Sequence, residues 1–366
     1  MALIRMRHSV SPTTTMAVEA DEVERPRQKL KRPSDVSLMG AAERSHREDS
    51  LRPPKRQRAT AAKAIGVVEG AEQVPSTTVT SPRMRSIVGR IIDRKFIVGE
   101  LVGRGKRSRV YRCQRLKEKK KADGAVLKII PKADGIAVHE FWVERDALAS
   151  LSNVSGIVQC FGVMEHDRRL VMALERLRGP SLSSLLGKLK TEREVFALVG
   201  KLAAILADMH GQGIGHFDLR LSNVFFASSD LAIGSLRLIN FGQAGERPAL
   251  GNMAWQASLA SAPEVLDAHV KCQELNASHP LSVDVWALGI IALQLLIGRA
   301  ANPATNARHA LALQDDMFHE LEKNAFNLSR EAVEFLLKCL LRKKPELRIG
   351  CAQLQLHPIV SHAATF

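Results

Sequence analysis

Cysteine and aromatic residues are scarce in this chain of 366 residues, and it has no long apolar run. The five cysteines are scattered, odd in number and never paired as C-x-x-C, so we expect no disulfide framework or zinc site, and a reducing compartment fits. The most apolar stretch, residues 285–297, is too short to span a bilayer and is typical of a buried core helix. The first residues lack the apolar core of a secretory signal. The sequence therefore predicts an intracellular protein with no membrane partner.

Positive charge is concentrated near the N-terminus. The formal net charge is +15, and residues 1–90 hold 17 Lys and Arg against 10 Asp and Glu. This stretch is also rich in Pro, Ser and Thr and has no sustained apolar period, so it cannot bury enough surface to offset its chain entropy. We expect residues 1–92 to form a disordered basic tail and residues 93–360 to form the folded domain.

Two basic clusters, residues 29–33 and 52–58, lie in this tail. Such clusters are typical of segments that bind a nuclear import factor or the phosphates of nucleic acid. The alternative is a solvated tail that binds nothing in particular. No helix or aromatic platform accompanies the charge, so sequence-specific DNA binding is not expected. The predicted location is the nucleus if the clusters act in import, and the cytoplasm otherwise.

The folded part changes character near Gly179. Before it, the apolar patterns predict one helix at residues 138–151 and strands at residues 96–102, 109–114, 125–130, 157–164 and 169–174. After it, helical periodicity dominates, at residues 192–210, 283–296 and 330–341. The predicted fold class is α+β with two lobes: a small five-stranded β lobe with one helix (about residues 93–175) and a larger, mainly helical lobe (about residues 178–360).

A glycine-containing turn joins the first two strands. Its pattern is Gly103-x-Gly105-x-x-Ser108-x-Val110. Glycines let the backbone approach phosphate oxygens closely, and successive N–H groups supply donors. An ordinary hairpin turn would also carry such glycines, so this motif alone leaves both interpretations open.

Lys128 lies inside an apolar strand. A lysine there is costly unless a charged partner accompanies it, and Glu144 on the following helix is the candidate. The alternative is a lysine at a strand edge with its ammonium group in water.

The most specific motif is the loop at residues 216–223, which brings together Asp218, Arg220 and Asn223. Phosphoryl transfer needs a carboxylate to accept the proton of the attacking hydroxyl, a cation near the moving phosphoryl group and oxygen ligands for Mg²⁺. A polar loop after a helix does not account for this ordered triplet.

From about residue 96 to residue 358 the chain resembles a eukaryotic-type protein kinase. Further segments match the family in order: residues 174–177 match the inter-lobe hinge, residues 262–264 (Ala-Pro-Glu) the end of the activation segment, and residues 284–289 the start of the large buried helix. Arg348 matches the late arginine that pairs with Glu264.

The resemblance implies an ATP-dependent kinase that phosphorylates a protein substrate. Asp218 would be the catalytic base, with Arg220 and Lys128 as catalytic cations, and Asn223 and Asn240 would hold Mg²⁺ or Mn²⁺. A cation two residues after the acid resembles Ser/Thr kinases more than Tyr kinases. The residues expected at the nucleotide are Val102, Gly103, Arg104, Gly105, Lys106, Arg107, Ser108, Val110, Lys128, Glu144, Glu175 and Leu177.

The pattern departs from the family at several positions. Asn240 replaces the Asp of the Asp-Phe-Gly turn and offers a neutral carbonyl oxygen where a carboxylate normally stands. Phe217 replaces the Arg that often pairs with a phosphorylated activation loop. Val126 replaces a small Ala above the adenine. Ala257 falls where a Thr would bond the catalytic Asp, and the sequence does not decide whether Ser258 substitutes for it.

Two main hypotheses follow. The chain is either an active Ser/Thr kinase with weakened metal dependence, or a pseudokinase that acts as a nucleotide-binding or protein-binding scaffold. The enzyme is favoured by the presence of Lys128, Glu144, Asp218, Arg220 and Asn223. The scaffold is favoured by Asn240 and by the changes at Ser108 and Phe217. A third interpretation is a nucleic-acid-associated or chromatin-associated protein whose basic tail is its main interaction surface.

Overall fold

A computed structural model describes residues 87–116, 124–248, 257–273, 275, 278–301 and 303–363. The predicted tail up to residue 86, with both basic clusters, lies outside these ranges. Within them a strand-rich lobe precedes a larger helical lobe, as the pattern of the sequence predicted. The α+β, two-lobed fold class is confirmed.

The small lobe is built on one antiparallel sheet with strand order β1-β2-β3-β4-β6-β5. Because side chains alternate between the faces of a strand, the buried Leu127 and Ile129 lie on one face of β4, while Val126 and Lys128 lie on the other, less buried face. The strands are β1 (Ile91–Ile92), β2 (Phe96–Arg104), β3 (Arg109–Arg115), β4 (Ala125–Pro131), β5 (Cys160–His166) and β6 (Arg169–Glu175).

The packed region begins before the predicted boundary at residue 93. Ile87 and Ile92 are buried against the outer face of the sheet, and Ile91 pairs with Ile97 in a sixth, two-residue strand. Two residues are too few to show the alternation that reveals a strand in a sequence. The sheet therefore has one strand more than the five expected.

One strand starts later than predicted. The apolar run from residue 157 suggested a strand there, but β5 begins at Cys160. Ile157 instead forms a parallel bridge with Leu238 of the large lobe, and Val158 donates to the carbonyl of Leu238. The run is apolar because it packs between the lobes, which sequence periodicity does not distinguish from pairing within a sheet.

Helix α1 (Gly135–Ser150) crosses the small lobe and begins three residues before its predicted start. Asp134 caps it by accepting a hydrogen bond from the N–H of Ala137, at 3.0 Å. Its buried face includes Phe141, Glu144 and Leu148, which recur at helical spacing. That spacing turns Glu144 inward, toward the sheet.

The large lobe is mostly helical. Its helices are α2 (Glu192–His210), α3 (Pro263–Lys271), α4 (Ser282–Ile297), α5 (Ala307–Glu322), α6 (Arg330–Phe335), α7 (Cys351–Leu354) and α8 (Pro358–Ser361), and its strands are β7 (Val224–Phe226) and β8 (Leu236–Leu238). Helix α2 has its predicted bounds, since Thr191 and Glu194 form a capping box at its start. Helix α4 is buried almost all round, as its apolar sequence predicted.

The amphipathic helix predicted at residues 330–341 is interrupted. Helix α6 ends at Phe335, and a π-helical turn follows at Leu336–Leu340. Leu336 and Leu340 are both fully buried, so the wider turn still directs its apolar side chains into the core. In the described ranges, no helix has both the length and the apolar character needed to cross a membrane.

Candidate active site

Asp284, at the start of α4, holds the loop that follows α2. Its buried carboxylate accepts hydrogen bonds from the backbone N–H groups of His216 and Phe217, at 2.7 and 2.8 Å. His210 lies 3.0 Å away through Nε2. These contacts hold Phe217 at a φ of 56°, in the left-handed region that non-glycine residues enter at a cost.

Two opposing effects act on the pKa of Asp284. Burial favours the neutral carboxylic acid and would raise the pKa, whereas the hydrogen bonds from His210 and from the backbone of His216 stabilise the carboxylate. Together, the hydrogen bonds and the electrostatic contacts with His210 and His216 prevail, and the pKa of Asp284 lies below its ordinary value. Asp284 is therefore ionised at neutral pH and anchors the loop as an anion.

His216 connects this loop to the turn that contains Asn240. Its Nδ1 accepts the N–H of Asp218 at 3.2 Å, and its Nε2 lies 3.1 Å from the carbonyl of Ile239. Since a carbonyl only accepts, Nε2 is the donor to Ile239 and Nδ1 is the acceptor from Asp218. The ring also packs on Phe241, with centroids 4.9 Å apart. Sequence reasoning gave His216 no role, although its place just before Phe217 and Asp218 was the available signal.

Asp218 receives three hydrogen bonds on one carboxylate oxygen. Its Oδ2 accepts from Asn240 Nδ2 at 2.8 Å, Asn223 Nδ2 at 3.0 Å and Arg220 Nη2 at 3.3 Å. Within the described part of the chain, Oδ1 accepts no hydrogen bond. One oxygen thus fixes the carboxylate, and the other is left to accept a proton.

Lys128 is paired rather than solvated. Its ammonium group bonds the carboxylate of Glu144, which is 2% exposed, and lies 3.4 Å from Oδ1 of Asn240. The sequence left two interpretations open, a lysine paired with Glu144 or a lysine with its ammonium group in water. The structure shows the ion pair with Glu144. The structure thus brings together Lys128, Glu144, Asn240, Asp218, Asn223 and Arg220.

The glycine-rich turn closes tightly between β2 and β3. Gly105 donates its N–H to the carbonyl of Ser108 at 2.9 Å, and a Cβ on Gly105 would lie 2.6 Å from Ser108 Oγ. Gly103 pairs with Val110 across the hairpin. Arg107 reaches α1, 3.6 Å from Asp134 and 3.9 Å from Glu140, whereas Arg104 and Lys106 are exposed. The serine in place of a third glycine therefore fills the space above Gly105.

A cavity of about 390 Å³ opens where the hinge meets the sheet. Val102, Val126 and Leu177 line it, together with Arg112, Arg176 and Arg178. Among the described residues, the backbone N–H and C=O of Leu177 have no partner, so a donor and an acceptor remain for a planar heterocycle. The side chain of Glu175 does not face this cavity's ligand space as a free group. It forms an ion pair with Arg237, at 3.5 Å, and accepts a hydrogen bond from the N–H of Gln159, at 3.3 Å.

A contact between α1 and the Asn-Phe-Gly turn was not foreseen from the sequence. Gln243 Nε2 donates to Glu140 Oε1 at 3.0 Å, and a Cβ on Gly242 would lie 3.2 Å from Glu140 Cβ. Burial raises the pKa of Glu140 above its ordinary value, against the opposing charges of Arg107 and Lys128. This contact joins the turn to the helix that carries Glu144.

Few side chains in this site offer an oxygen ligand to a divalent cation. Asn223 uses its amide nitrogen on Asp218, which leaves its Oδ1 available as the kind of oxygen ligand that Mg²⁺ prefers. Asn240 Oδ1 faces Lys128, and its role as a metal ligand stays a prediction. In the ranges that the structure covers, no group of three or more His, Cys, Asp or Glu side chains is arranged to hold a metal ion.

Contacts behind the site match the motifs read from the sequence. Arg348 donates from Nη1 and Nη2 to the two carboxylate oxygens of Glu264, each at 2.6 Å, as predicted. Trp286 on α4 donates to the carbonyl of Leu259 at 3.1 Å. The hydroxyl of Ser258 lies 3.3 Å from that of Ser261 and makes no contact with Asp218. Ser258 therefore does not take the place of the Thr hydroxyl that would bond Asp218.

Comparison with known proteins agrees with this arrangement. A family model described as "Protein kinase domain" matches residues 96–360, well over half of the chain. The chain is 29% identical over 283 residues to a CDPK-related protein kinase of Daucus carota and 28% identical over 278 residues to calcium/calmodulin-dependent serine/threonine-protein kinase 1 of Oryza sativa subsp. japonica. These matches cover 74% and 72% of this chain and 44% of each relative, so the chain spans less than half of their length.

A further relative is matched over more of its length. The MAP kinase-interacting serine/threonine-protein kinase 1 of Xenopus tropicalis is 26% identical over 304 residues, which cover 75% of this chain and 71% of that protein. The matched family region holds the ion pair of Lys128 and Glu144, the loop around Asp218 and the pair of Glu264 and Arg348. The chain belongs to the protein kinase family.

Proposed function

We propose that the chain is an ATP-dependent kinase that transfers the γ-phosphate to Ser and Thr hydroxyls of a protein substrate. The observation that carries the proposal is the arrangement around Asp218. Three donors fix one of its oxygens, and the other is open toward an incoming hydroxyl. The similarity to relatives named as serine/threonine kinases supports the choice of acceptor.

The nucleotide would lie between the lobes. Its adenine would enter the cavity under Val126 and bond the free backbone groups of Leu177. Lys128, held by Glu144, would bind the phosphates, while the N–H groups of the turn that contains Gly103 and Gly105 would cover them. Val126 is larger than an alanine, so the adenine would fit more tightly beneath it.

The chain's own residues would carry out the proton transfer. Asp218 would accept the proton of the substrate hydroxyl at Oδ1, within hydrogen-bond distance of the attacking oxygen. Arg220, whose side chain is 55% exposed, would place positive charge beside the moving phosphoryl group. A divalent cation held through Asn223 would supply further neutralisation of phosphate charge.

The second candidate function is a pseudokinase scaffold that binds nucleotide or protein without transfer. The neutral side chain of Asn240 favours it, because a carboxylate at this position normally bridges the metal to the nucleotide. The loss of even about 3 kcal/mol of transition-state stabilisation would slow the reaction roughly a hundredfold.

The two functions are separated by a transfer assay. Labelled ATP is incubated with a generic basic protein substrate, over a range of Mg²⁺ and Mn²⁺ concentrations, and the label on Ser and Thr is measured. Label that depends on Asp218 supports the enzyme. Thermal stabilisation by ATP without any transfer supports the scaffold.

The basic tail is a separate proposal. Its two clusters, residues 29–33 and 52–58, would bind a nuclear import factor or nucleic acid. The test is the location in cells of a protein that lacks residues 1–90, compared with the full chain. Loss of nuclear accumulation supports import, and an unchanged location contradicts it.

A further inference from the structure

The side-chain amide of Asn240 joins two charged residues. Its Nδ2 donates to Asp218 Oδ2 at 2.8 Å, and its Oδ1 lies 3.4 Å from Lys128 Nζ. Only one orientation of the amide satisfies both neighbours, because a flipped amide would turn its NH₂ group toward the ammonium and its oxygen toward the carboxylate. The donor end of Asn240 therefore belongs to Asp218 and the acceptor end to Lys128.

The backbone presents this amide in a fixed direction. Asn240 has a φ of 68°, a left-handed conformation that Asn enters more readily than most residues. On its N-terminal side, the N–H of Ile239 donates to the carbonyl of Asn223 at 3.0 Å, and the carbonyl of Ile239 contacts His216. On its other side, Phe241 is fully buried. The fold on both sides of the turn thus sets the position from which the side chain of Asn240 reaches Asp218.

A carboxylate at this position would behave differently. It has no hydrogen to donate to Asp218, and two carboxylates at hydrogen-bond distance disfavour each other's ionised form. A cation or a proton would be needed to offset that repulsion before a triphosphate could enter. With Asn240, the neighbour of Asp218 is neutral and no such requirement arises.

We propose that Asn240 is a positioning residue for Asp218 rather than a metal ligand, and that ATP binds this site almost independently of divalent cations. Any cation would then be held by Asn223 and by the nucleotide alone. The inference rests on the proposed function, because it concerns the same nucleotide site.

The first test measures ATP affinity by calorimetry on the full chain, in Mg²⁺ and in EDTA. We expect the dissociation constant in EDTA to lie within about threefold of that in Mg²⁺, since only one protein ligand to the cation remains. Asn240→Asp should bind ATP at least about tenfold more weakly in EDTA than in Mg²⁺, because its two carboxylates need the cation. A loss of tenfold or more in the unaltered protein, or equal affinities in the two conditions for Asn240→Asp, would overturn the proposal.

The second test separates positioning from general structure. Asn240→Ala removes the hydrogen bond to Asp218 and adds no charge. We expect its kcat to fall about tenfold or more while its KM for ATP stays within about threefold, since the base and not the nucleotide has lost its support. The ATP affinity of this variant should depend on the cation as little as that of the unaltered protein. An unchanged kcat, or a cation requirement that appears with Ala, contradicts the assignment. This variant and the unaltered protein decide the question even if Asn240→Asp does not fold.

These outcomes are distinct from failure of the proposed function. If ATP binds equally well in EDTA and Mg²⁺ but no phosphate is transferred, the kinase proposal and the positioning role fail, while cation-independent binding stands. If phosphate is transferred but ATP binding collapses in EDTA, the inference fails and the kinase stands. If ATP does not bind under either condition, both are overturned.

Discussion

Arg348 binds Glu264 through two parallel hydrogen bonds of 2.6 Å each. The side chain of Arg348 is completely buried and that of Glu264 is 14% exposed, so water screens the pair poorly. Arg348 also donates to the carbonyls of Arg342 and Ser282. The pair thereby ties the start of α3 to the segment after the π turn and to the start of α4.

Removal of one partner should therefore destabilise the domain strongly. Glu264→Ala leaves the guanidinium of Arg348 buried without its counter-ion, which typically costs about 3–5 kcal/mol. Chemical denaturation measures the free energy of unfolding. The control is Glu334→Ala, which removes a carboxylate from exposed ion pairs with Arg330 and Lys338 and should destabilise the domain far less, because water screens these pairs. If both variants lost a similar amount of unfolding free energy, the buried pair would stabilise the domain no more than an exposed pair does.

Because the pKa of Asp284 is lowered in the folded protein, we expect the stability of the domain to depend on pH. Its folded pKa lies below the unfolded value of about 3.9, so the carboxylate stabilises the fold above that pH, and the contribution is lost as the pH falls through the lower folded pKa. Asp284→Asn should be less stable near neutral pH and should lose less stability on acidification, as measured by urea midpoints from neutral pH downward.

The control for Asp284 is Asp267→Asn, which removes an exposed carboxylate paired with Lys271 on α3. Its acid profile should follow that of the unaltered protein. If Asp284→Asn gave the same profile as well, the anchoring role of this carboxylate would be refuted.

Lys128, in the middle of β4, and Lys132, directly after the end of that strand, provide a matched comparison. Lys128→Met removes the ammonium that is buried with Glu144, and kcat/KM for ATP should fall at least about a hundredfold, since a charge that would face the phosphates is lost. Lys132→Met breaks an exposed pair with Glu165 and should leave kcat/KM nearly unchanged. Equal effects of the two substitutions would mean that Lys128 has no direct role at the nucleotide.

The activation segment is predicted to need no phosphorylation. The position before Asp218 carries the apolar ring of Phe217, which lies so close to Gly215 that a Cβ there would be 2.3 Å from it. An apolar ring cannot bind a phosphate as an arginine would. Ser258→Ala and Ser261→Ala should therefore keep activity within about twofold of the unaltered protein. A collapse of activity in either variant, with the fold intact by circular dichroism, would refute this.

The sequence predicted those parts of the molecule that depend on local signals. Helix α2 was located correctly because a capping box precedes a long apolar period. The ion pair of Lys128 and Glu144 was foreseeable, because a lysine in a buried strand needs a counter-charge. The two-residue strand at Ile91 and the π turn after Phe335 carry no periodic signal and were missed.

The site geometry depended on contacts between distant residues. The hydrogen bond from Asn240 to Asp218 joins residues 22 positions apart, and its existence depends on the rotamers of both side chains. Likewise, Asp284 accepts hydrogen bonds from the backbone N–H groups of His216 and Phe217, which lie 68 and 67 positions earlier in the sequence. Residue types indicated which side chains belong to the site, but only the packed backbone determines which of their atoms meet.

The most direct test of the account is the rate of phosphate transfer in Asp218→Asn compared with Asp230→Asn, an exposed aspartate outside the site. We expect transfer by the unaltered protein, a rate at least about a hundredfold lower for Asp218→Asn because the proton acceptor is lost, and little change for Asp230→Asn. Transfer that persists undiminished in Asp218→Asn, or no transfer by the unaltered protein with either Mg²⁺ or Mn²⁺, would contradict it.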